Sequence, residues 1–515
     1  MTHHYNLGLA FGATAERHAH RAALRMPGRI VTYAEILEMA EGLGELLLAR
    51  GCMQGDVIAI AMNKGAVHYA VMLAALRLGI ACVNVDPASP LARNSHIVTI
   101  AQPRLLFVES GAYQDAMDDL ARACGVPSLL ADTLGLQSLA DHDRGRQQSL
   151  IARVDGATIA YIMFTSGSTG IPKGVAVTHE NVLHFIQWGQ QRLAVSPDDN
   201  FANISPLYFD NSVFDFYLAL FSGASLTPVE RNLLTQPYAL VSHVAAQQCT
   251  IWFSVPSLLI YLTAMKAMTA AALPGLRLIV FGGEGYPKPE LKKLFDRFRA
   301  QAELVNVYGP TECTCICSAH SIADSDFNDM VGLPMLGKLN PNFDYRIVSD
   351  SDEDADTGEL CLIGPNVAAG YFNDPERTAA AFFVLNAPRR FMKRMYRTGD
   401  IVRESEGNLH FVGRKDNQIK HMGYRIELEE IELALARLSE VTQVAIVYHR
   451  KDAAYGKLVG FVATHSSVEE KDLLRRLGEL VPDYMLPSRL ILMGELPKNP
   501  NGKVDKQALK ASLDG

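Results

Sequence analysis

The chain has 515 residues, of which 48% are hydrophobic and 20% charged, and a formal net charge of −8. It is too long for one compact core and apolar enough for two or more, so a multidomain soluble enzyme is expected, with no global basic field for nucleic acid or an anionic membrane. No window approaches about 18 consecutive apolar residues, and Met1-Thr2-His3-His4-Tyr5 lacks the basic and apolar regions of a leader, so a cytoplasmic location is expected.

Thr32-Tyr33-Ala34-Glu35 has capping-box spacing and opens an amphipathic helix through Ile36, Leu37, Leu43 and Leu47, which Gly51 ends. An apolar strand follows at Val57–Met62, then a helix through Met72 and Leu76, a stop at Gly79, and a second strand at Ile80–Val85. This rhythm predicts a mainly parallel sheet covered by helices. It recurs at Ala157–Phe164, Leu276–Phe281 and Leu304–Tyr308, each strand running into a Gly-rich or polar turn where open α/β sheets bind ligands. The acidic run Ser349–Thr357 reads as a solvated hairpin tip. After Gly413-Arg414-Lys415-Asp416 a small α+β domain is expected, with a helix at Glu427–Leu438, a strand at Val441–Tyr448 and a helical stretch at Val468–Leu480.

Cys313, Cys315 and Cys317 alternate as they would along a buried strand with all three on one side. No CxxC partner or His pair completes a zinc tetrahedron, so they are read as small apolar residues.

Phe164-Thr165-Ser166-Gly167-Ser168-Thr169-Gly170-Ile171-Pro172-Lys173-Gly174 follows an apolar strand and has the composition of a phosphate cradle. Glycines let backbone N–H groups approach phosphate oxygens, hydroxyls add donors, and Lys173 adds charge. No GK[ST] closes it, so it is not a Walker A loop.

This loop resembles that of the adenylate-forming superfamily, which comprises nonribosomal-peptide adenylation domains, acyl- and aryl-CoA synthetases, and luciferases. The resemblance continues in family order through Tyr308-Gly309-Pro310-Thr311-Glu312, Gly358-Glu359-Leu360, Gly370-Tyr371, Tyr396-Arg397-Thr398-Gly399-Asp400, Gly413-Arg414-Lys415-Asp416, Gly423-Tyr424-Arg425-Ile426-Glu427-Leu428 and Asn501-Gly502-Lys503-Val504-Asp505. It implies an α/β fold with a large N-terminal domain (residues 1–415) of helix-flanked, mainly parallel sheets plus a small barrel-like subdomain. A small mobile α+β C-terminal domain (416–515) would follow.

By the same resemblance ATP would be bound by Thr165, Ser166, Gly167, Ser168, Thr169, Gly170 and Lys173, with Thr165, Ser166 and Lys173 at the β- and γ-phosphates. Gly283, Glu284, Gly309 and Thr311 would also bind ATP, Asn306 and Tyr308 would flank the adenine, and Asp400 and Arg414 would hold the ribose. A carboxylate suits the ribose because it accepts from two neighbouring hydroxyls, and Arg414 adds a donor. Glu312 is the implied Mg²⁺ ligand, a hard cation wanting one or two carboxylate oxygens beside phosphate and water. Attack of a carboxylate on the α-phosphate needs positive charge, for which the family's candidate is Lys503, with Asp416 as the hinge of the small domain.

Phe209-Asp210-Asn211-Ser212 resembles the segment whose aspartate binds the substrate's α-ammonium in amino-acid-activating members; alternatively Asp210 or Ser212 caps the following helix. The family's pocket positions project onto Asn211, Phe214, Phe253, Ile279, Phe281, Val307, Cys315 and Ile316. These add no second charge, which implies an uncharged side chain, and three phenylalanines in a confined pocket favour a small or slim apolar one. Gly282-Gly283-Glu284 and the run from Gly423 look most like stand-alone amino acid:carrier-protein ligases, including the D-alanine-activating kind. The implied activity is AMP-forming activation of an amino acid and transfer to the phosphopantetheine of a separate carrier protein. The alternative is an acyl- or aryl-CoA synthetase, which would need no aspartate at 210.

Overall fold

In the computed structural model, residues 4–131, 144–385, 393–450, 456–499 and 504–513 are described. Two large sheets carry the site. The first has seven strands in the order Gly370–Tyr371, Lys173–Thr178, Ile159–Thr165, Ala81–Asn84, Val57–Ala61, Leu105–Val108, Ser128–Leu130, parallel from Ile159–Thr165 onward. The second has eight, with six central parallel strands flanked by antiparallel edges at Arg29–Thr32 and Ser318–Ser321.

Between the sheets lies the main core. The helix Ala66–Leu78 is buried almost all round, which is why its sequence shows little amphipathic bias, and Gly79 ends it at φ 68°. The helix Tyr33–Ala49 is amphipathic instead, and it opens with the expected reciprocal capping box between Thr32 and Glu35. A five-stranded antiparallel sheet covers residues between Asp344 and Arg414, with the acidic run at the exposed turn between Asp344–Val348 and Thr357–Ile363.

Beyond Asp416 come a hairpin (Gln418–His421 with Tyr424–Glu427), the helix Leu428–Ala436, and a three-stranded sheet of Val441–Arg450, Gly456–Thr464 and Arg489–Met493. The predicted α+β character of this small C-terminal domain holds. Among the described residues no helix is long and apolar enough to cross a membrane.

One expected element is absent. Cys313 ends a 3₁₀ turn, and Thr314 and Cys315 both have left-handed backbones, φ 60° and 71°. The three cysteines therefore do not share one face of a strand: Cys313 and Cys317 enter the core under the antiparallel sheet, while Cys315 enters the main core. Among the described residues no group of three or more His, Cys, Asp or Glu is placed to hold a metal.

Candidate active site

The phosphate-loop sequence closes an antiparallel hairpin whose last cross-strand pair is Thr165 with Lys173. That register returns Lys173 to the base of the loop although seven residues separate the two positions. Gly167 is required sterically, since a Cβ there would stand 2.1 Å from the Ile171 carbonyl oxygen. Ser166 Oγ donates to the Arg425 carbonyl at 2.7 Å, and Thr165 Oγ1 is buried without a hydrogen-bond partner. Ser168 and Thr169 are exposed, with Thr169 Oγ1 accepting from Arg377.

Lys173 faces Glu312, Nζ to Oε1 3.5 Å, and donates to Tyr371 Oη at 3.2 Å. Glu312 is wholly buried and also receives the Tyr371 hydroxyl at 2.8 Å and Arg425 Nη1 on both oxygens at 3.0 and 2.8 Å. Burial would raise its pKa, but Arg425 and then Lys173 hold it well below the usual carboxylate range. Burial lowers the Lys173 ammonium to about 8, with Arg425 adding to the effect and Glu312 opposing it.

At the other end of the cleft, Asp400 is buried and takes the Tyr308 hydroxyl on Oδ2 and Arg414 Nη1 on Oδ1, each at 2.6 Å. Arg414 grips Asp416 as well, Nε to Oδ1 2.6 Å and Nη2 to Oδ2 2.5 Å. Burial opposes ionisation of Asp416, but the Arg414 pair leaves its carboxyl below its ordinary value. A cavity of about 290 Å³ opens here, lined by Gly283, Glu284, Asn306, Tyr308, Asp400 and Arg414 among others. The Glu284 carboxylate is already engaged by the backbone N–H groups of Ser257 and Gly423, at 2.7 and 3.0 Å. Asn306 Nδ2 donates to the Met335 carbonyl at 2.8 Å. Gly309 admits no side chain, because a Cβ would stand 2.3 Å from the Cys315 carbonyl oxygen.

Between these ends lies a smaller cavity of about 60 Å³, lined by Asp210, Asn211, Phe253, Val307, Thr311, Cys315 and Ile316 together with Lys420 and Arg425. Asp210 precedes the helix Asn211–Leu220 with αR backbone and no side-chain capping bond, so it is not the helix's N-cap in function. Its carboxylate instead receives Thr311 Oγ1 at 2.6 Å; burial raises its pKa, against the pull of that hydrogen bond. Asn211 Nδ2 is buried without a partner. Phe214 stands behind the cavity wall, its ring 4.7 Å from that of Phe253.

Ile279 and Phe281 lie on the far face of their strand, in a separate core with Trp252 and Tyr286. The strand pairs Phe253 with Val280 and Val307 with Gly282, so Val280 and Gly282 share the cavity's side of the sheet. A projection displaced by one residue reverses faces, because side chains alternate along a strand.

The small domain supplies groups that sequence reasoning did not single out by role. Gln418, Lys420 and Arg425, on the two strands of its hairpin, all reach both or one of the cavities. Lys420 Nζ stands 5.9 Å from the Tyr308 ring centroid, and burial lowers its pKa. Gly423 turns the hairpin at φ 80°, with Val255 Cγ1 2.4 Å from where a Cβ would be. Lys503 lies outside the described residues.

A phosphate-loop hairpin, a buried glutamate beside it and a Tyr-Asp-Arg cluster at the far end define a nucleotide-dependent ligase site. The family model for AMP-binding enzymes matches residues 11–372, and that for the AMP-binding enzyme C-terminal domain matches 430–503. The chain belongs to the AMP-binding enzyme family and is an AMP-forming ligase. It is 33% identical over 476 residues to the L-proline--[L-prolyl-carrier protein] ligase of Pseudomonas fluorescens, covering 91% of this chain and 92% of that one. It is 31% identical over 513 residues to the D-alanine--D-alanyl carrier protein ligase of Listeria monocytogenes, covering 98% of each. A dimodular nonribosomal peptide synthase of Bacillus subtilis matches at 32% over 495 residues, but the chain spans only 20% of that protein's length. Among solved structures, holo-PA1221, a nonribosomal peptide synthetase protein with adenylation and carrier domains, superposes with a TM-score of 0.84 at 26% identity, covering 98% of this chain and 84% of that one.

Proposed function

We propose that the protein uses ATP and Mg²⁺ to activate an amino acid as aminoacyl-AMP, releasing pyrophosphate, and passes the acyl group to the phosphopantetheine thiol of a separate carrier protein, releasing AMP. The observation that carries this reading is the carboxylate of Asp210 at a small cavity, where an ammonium would be its natural counterion. Lys420 lines the same cavity and supplies positive charge there from the small domain. The cavity is small, about 60 Å³, which favours a small side chain. The relatives named for L-proline and D-alanine act on amino acids of that size.

In this reading Thr165, Ser166, Gly167 and Lys173 hold the β- and γ-phosphates, and Glu312 holds the Mg²⁺. The Glu312 carboxylate is buried and held ionised, as a metal ligand must be, and a metal shared with phosphate oxygens would take the place Arg425 now holds on it. Tyr308 and Asn306 flank the adenine, while Asp400 and Arg414 hold the ribose. Residues 1–415 and 416–515 act as two bodies pivoting at Asp416, with Lys503 brought to the α-phosphate for the first half-reaction.

Pyrophosphate exchange over an amino-acid panel and a matched panel of fatty and aryl acids tests the reading. Exchange confined to amine-bearing acids is expected; exchange with simple acids alone would replace the reading with a CoA synthetase. Two further results are expected. Lys173 is cationic below pH about 8 and neutral above it in the free enzyme, so kcat/KM for ATP should fall along an alkaline limb near pH 8, and Lys173→Arg should remove that limb. Gly423→Ala forces a side chain into a left-handed turn and against Val255, a penalty of about 1–2 kcal/mol before the clash. Thiol acylation should therefore fall by about tenfold or more while pyrophosphate exchange is retained, both read on the same preparation.

A further inference from the structure

Arg93, on the large-domain helix Leu91–Ala101, donates Nη1 to Oε1 of Glu430, on the small-domain helix Leu428–Ala436, at 2.5 Å. Neither side chain is more than a tenth exposed. The other carboxylate oxygen, Oε2, is buried without a hydrogen-bond partner, and the Gly167 N–H of the phosphate loop is among the groups that counter the rise burial gives this carboxyl's pKa, after Arg93. Further along the same helix, Leu433 packs against Gly170, its Cδ1 3.5 Å from where a Cβ on that glycine would lie. From the adjoining hairpin, Arg425 holds both oxygens of Glu312, and its carbonyl takes the Ser166 hydroxyl.

In this pose the small domain thus sets an anion against the loop that would receive phosphate, and a cation on the carboxylate that would receive a metal. Each charge has the sign of the group it faces in competition, and both cannot be accommodated in one place. A buried ion pair of this kind adds little net stability, but separating its members inside protein is costly, so it discriminates between arrangements. Here it discriminates between docked and undocked positions of the small domain, because either residue regains water once the helices part.

We propose that Arg93 and Glu430 are positioning residues that hold the small domain in this pose, which, being closed to polyphosphate, belongs to the step after pyrophosphate release, thiol acylation, and that polyphosphate in the loop and the Arg93–Glu430 latch exclude each other. The proposal rests on the reading that the loop binds the phosphates of ATP. Its consequence is that weakening the latch frees the loop: the apparent affinity for polyphosphate is reduced by the fraction of protein whose loop is open, and that fraction rises in a latch variant.

The test is calorimetric titration of the full chain with magnesium pyrophosphate, which needs no knowledge of the acid substrate, and in parallel with magnesium ATP. Glu430→Gln, isosteric and uncharged, and Arg93→Ala should each bind magnesium pyrophosphate about 3- to 10-fold more tightly than the wild type. Because both act through one contact, the double variant should gain no more than the better single one. Thiol acylation should slow in the same variants while pyrophosphate exchange does not. Hydrogen exchange on the wild type gives a second reading that no variant's folding can confound: magnesium pyrophosphate should speed exchange in the helix Leu91–Ala101. Affinities unchanged or weakened in folded variants, or exchange in that helix unchanged or slowed, overturn the latch alone. A wild type that binds neither nucleotide nor pyrophosphate overturns the nucleotide reading and the latch with it.

Discussion

Asp210→Ala is expected to reduce amino-acid activation by roughly 10²–10³-fold while activation of the corresponding amine-free acid holds steady or improves. The carboxylate faces a small cavity, accepts from Thr311 Oγ1, and is held there at the cost of a raised pKa caused first by burial. With an ammonium bound, the pair offsets that desolvation; with alanine in place, the cation is left enclosed and unpaired, a loss on the order of 3–5 kcal/mol. An amine-free acid has the opposite preference, since it brings no ammonium to the wild-type carboxylate, which keeps only Thr311 Oγ1 and the more distant Lys420. The variant should still fold, because αR backbone and the absence of a capping bond show that Asp210 contributes nothing as an N-cap, and the change removes one hydrogen bond, from Thr311 Oγ1. Parallel exchange assays on both panels, with thermal melts of each protein, check this. Equal losses for both classes of acid would show that the aspartate does not read the amine.

The parts of the site legible in the sequence were those whose chemistry is local. The capping box at Thr32 and Glu35 lies within one turn, and the phosphate loop lies within one hairpin, so composition and spacing were enough to place both. The pocket strand was harder. Leu278–Gly282 is buried on both faces, so its sequence carries no polar alternation to mark which side faces the ligand, and a one-residue displacement selected Ile279 and Phe281 over Val280 and Gly282. The cysteines misled for a related reason. A period of two fits a strand, yet the backbone at Thr314 and Cys315 is left-handed, which side-chain spacing does not reveal.

Contacts across long stretches of sequence were not legible at all. Glu312 and Arg425 are 113 positions apart, and Arg93 and Glu430 are 337 apart. Each residue alone reads as an ordinary charge on a helix, strand or turn. The hairpin from Gln418 to Glu427 was recognisable by its glycine and its order in the chain, but the reach of Lys420 and Arg425 into the cleft follows only from the docking of the small domain.

Glu312→Gln is the second change expected to be severe, and it should act on both catalysis and stability. The carboxylate has no exposure and is surrounded by Arg425, Lys173 and the Tyr371 hydroxyl, so the amide leaves two cations facing one another without their anion. Breaking a buried pair from one side costs about 3–5 kcal/mol. Exchange activity should fall by about 10²-fold or more for a comparable loss in the transition state, and more Mg²⁺ should be needed to half-saturate what remains. The pH dependence separates the ion pair from a mere loss of packing. The folded carboxyl sits well below its ordinary value of about 4.5, so its stabilisation is fully present above that value and is lost as pH falls towards the depressed one. The stability difference between wild type and variant, from denaturant unfolding, should therefore be flat from pH 7 to about 5 and shrink below about 4. A difference that stays constant into the acid range would assign the loss to packing around the amide, and an unchanged Mg²⁺ requirement would remove Glu312 from the metal site.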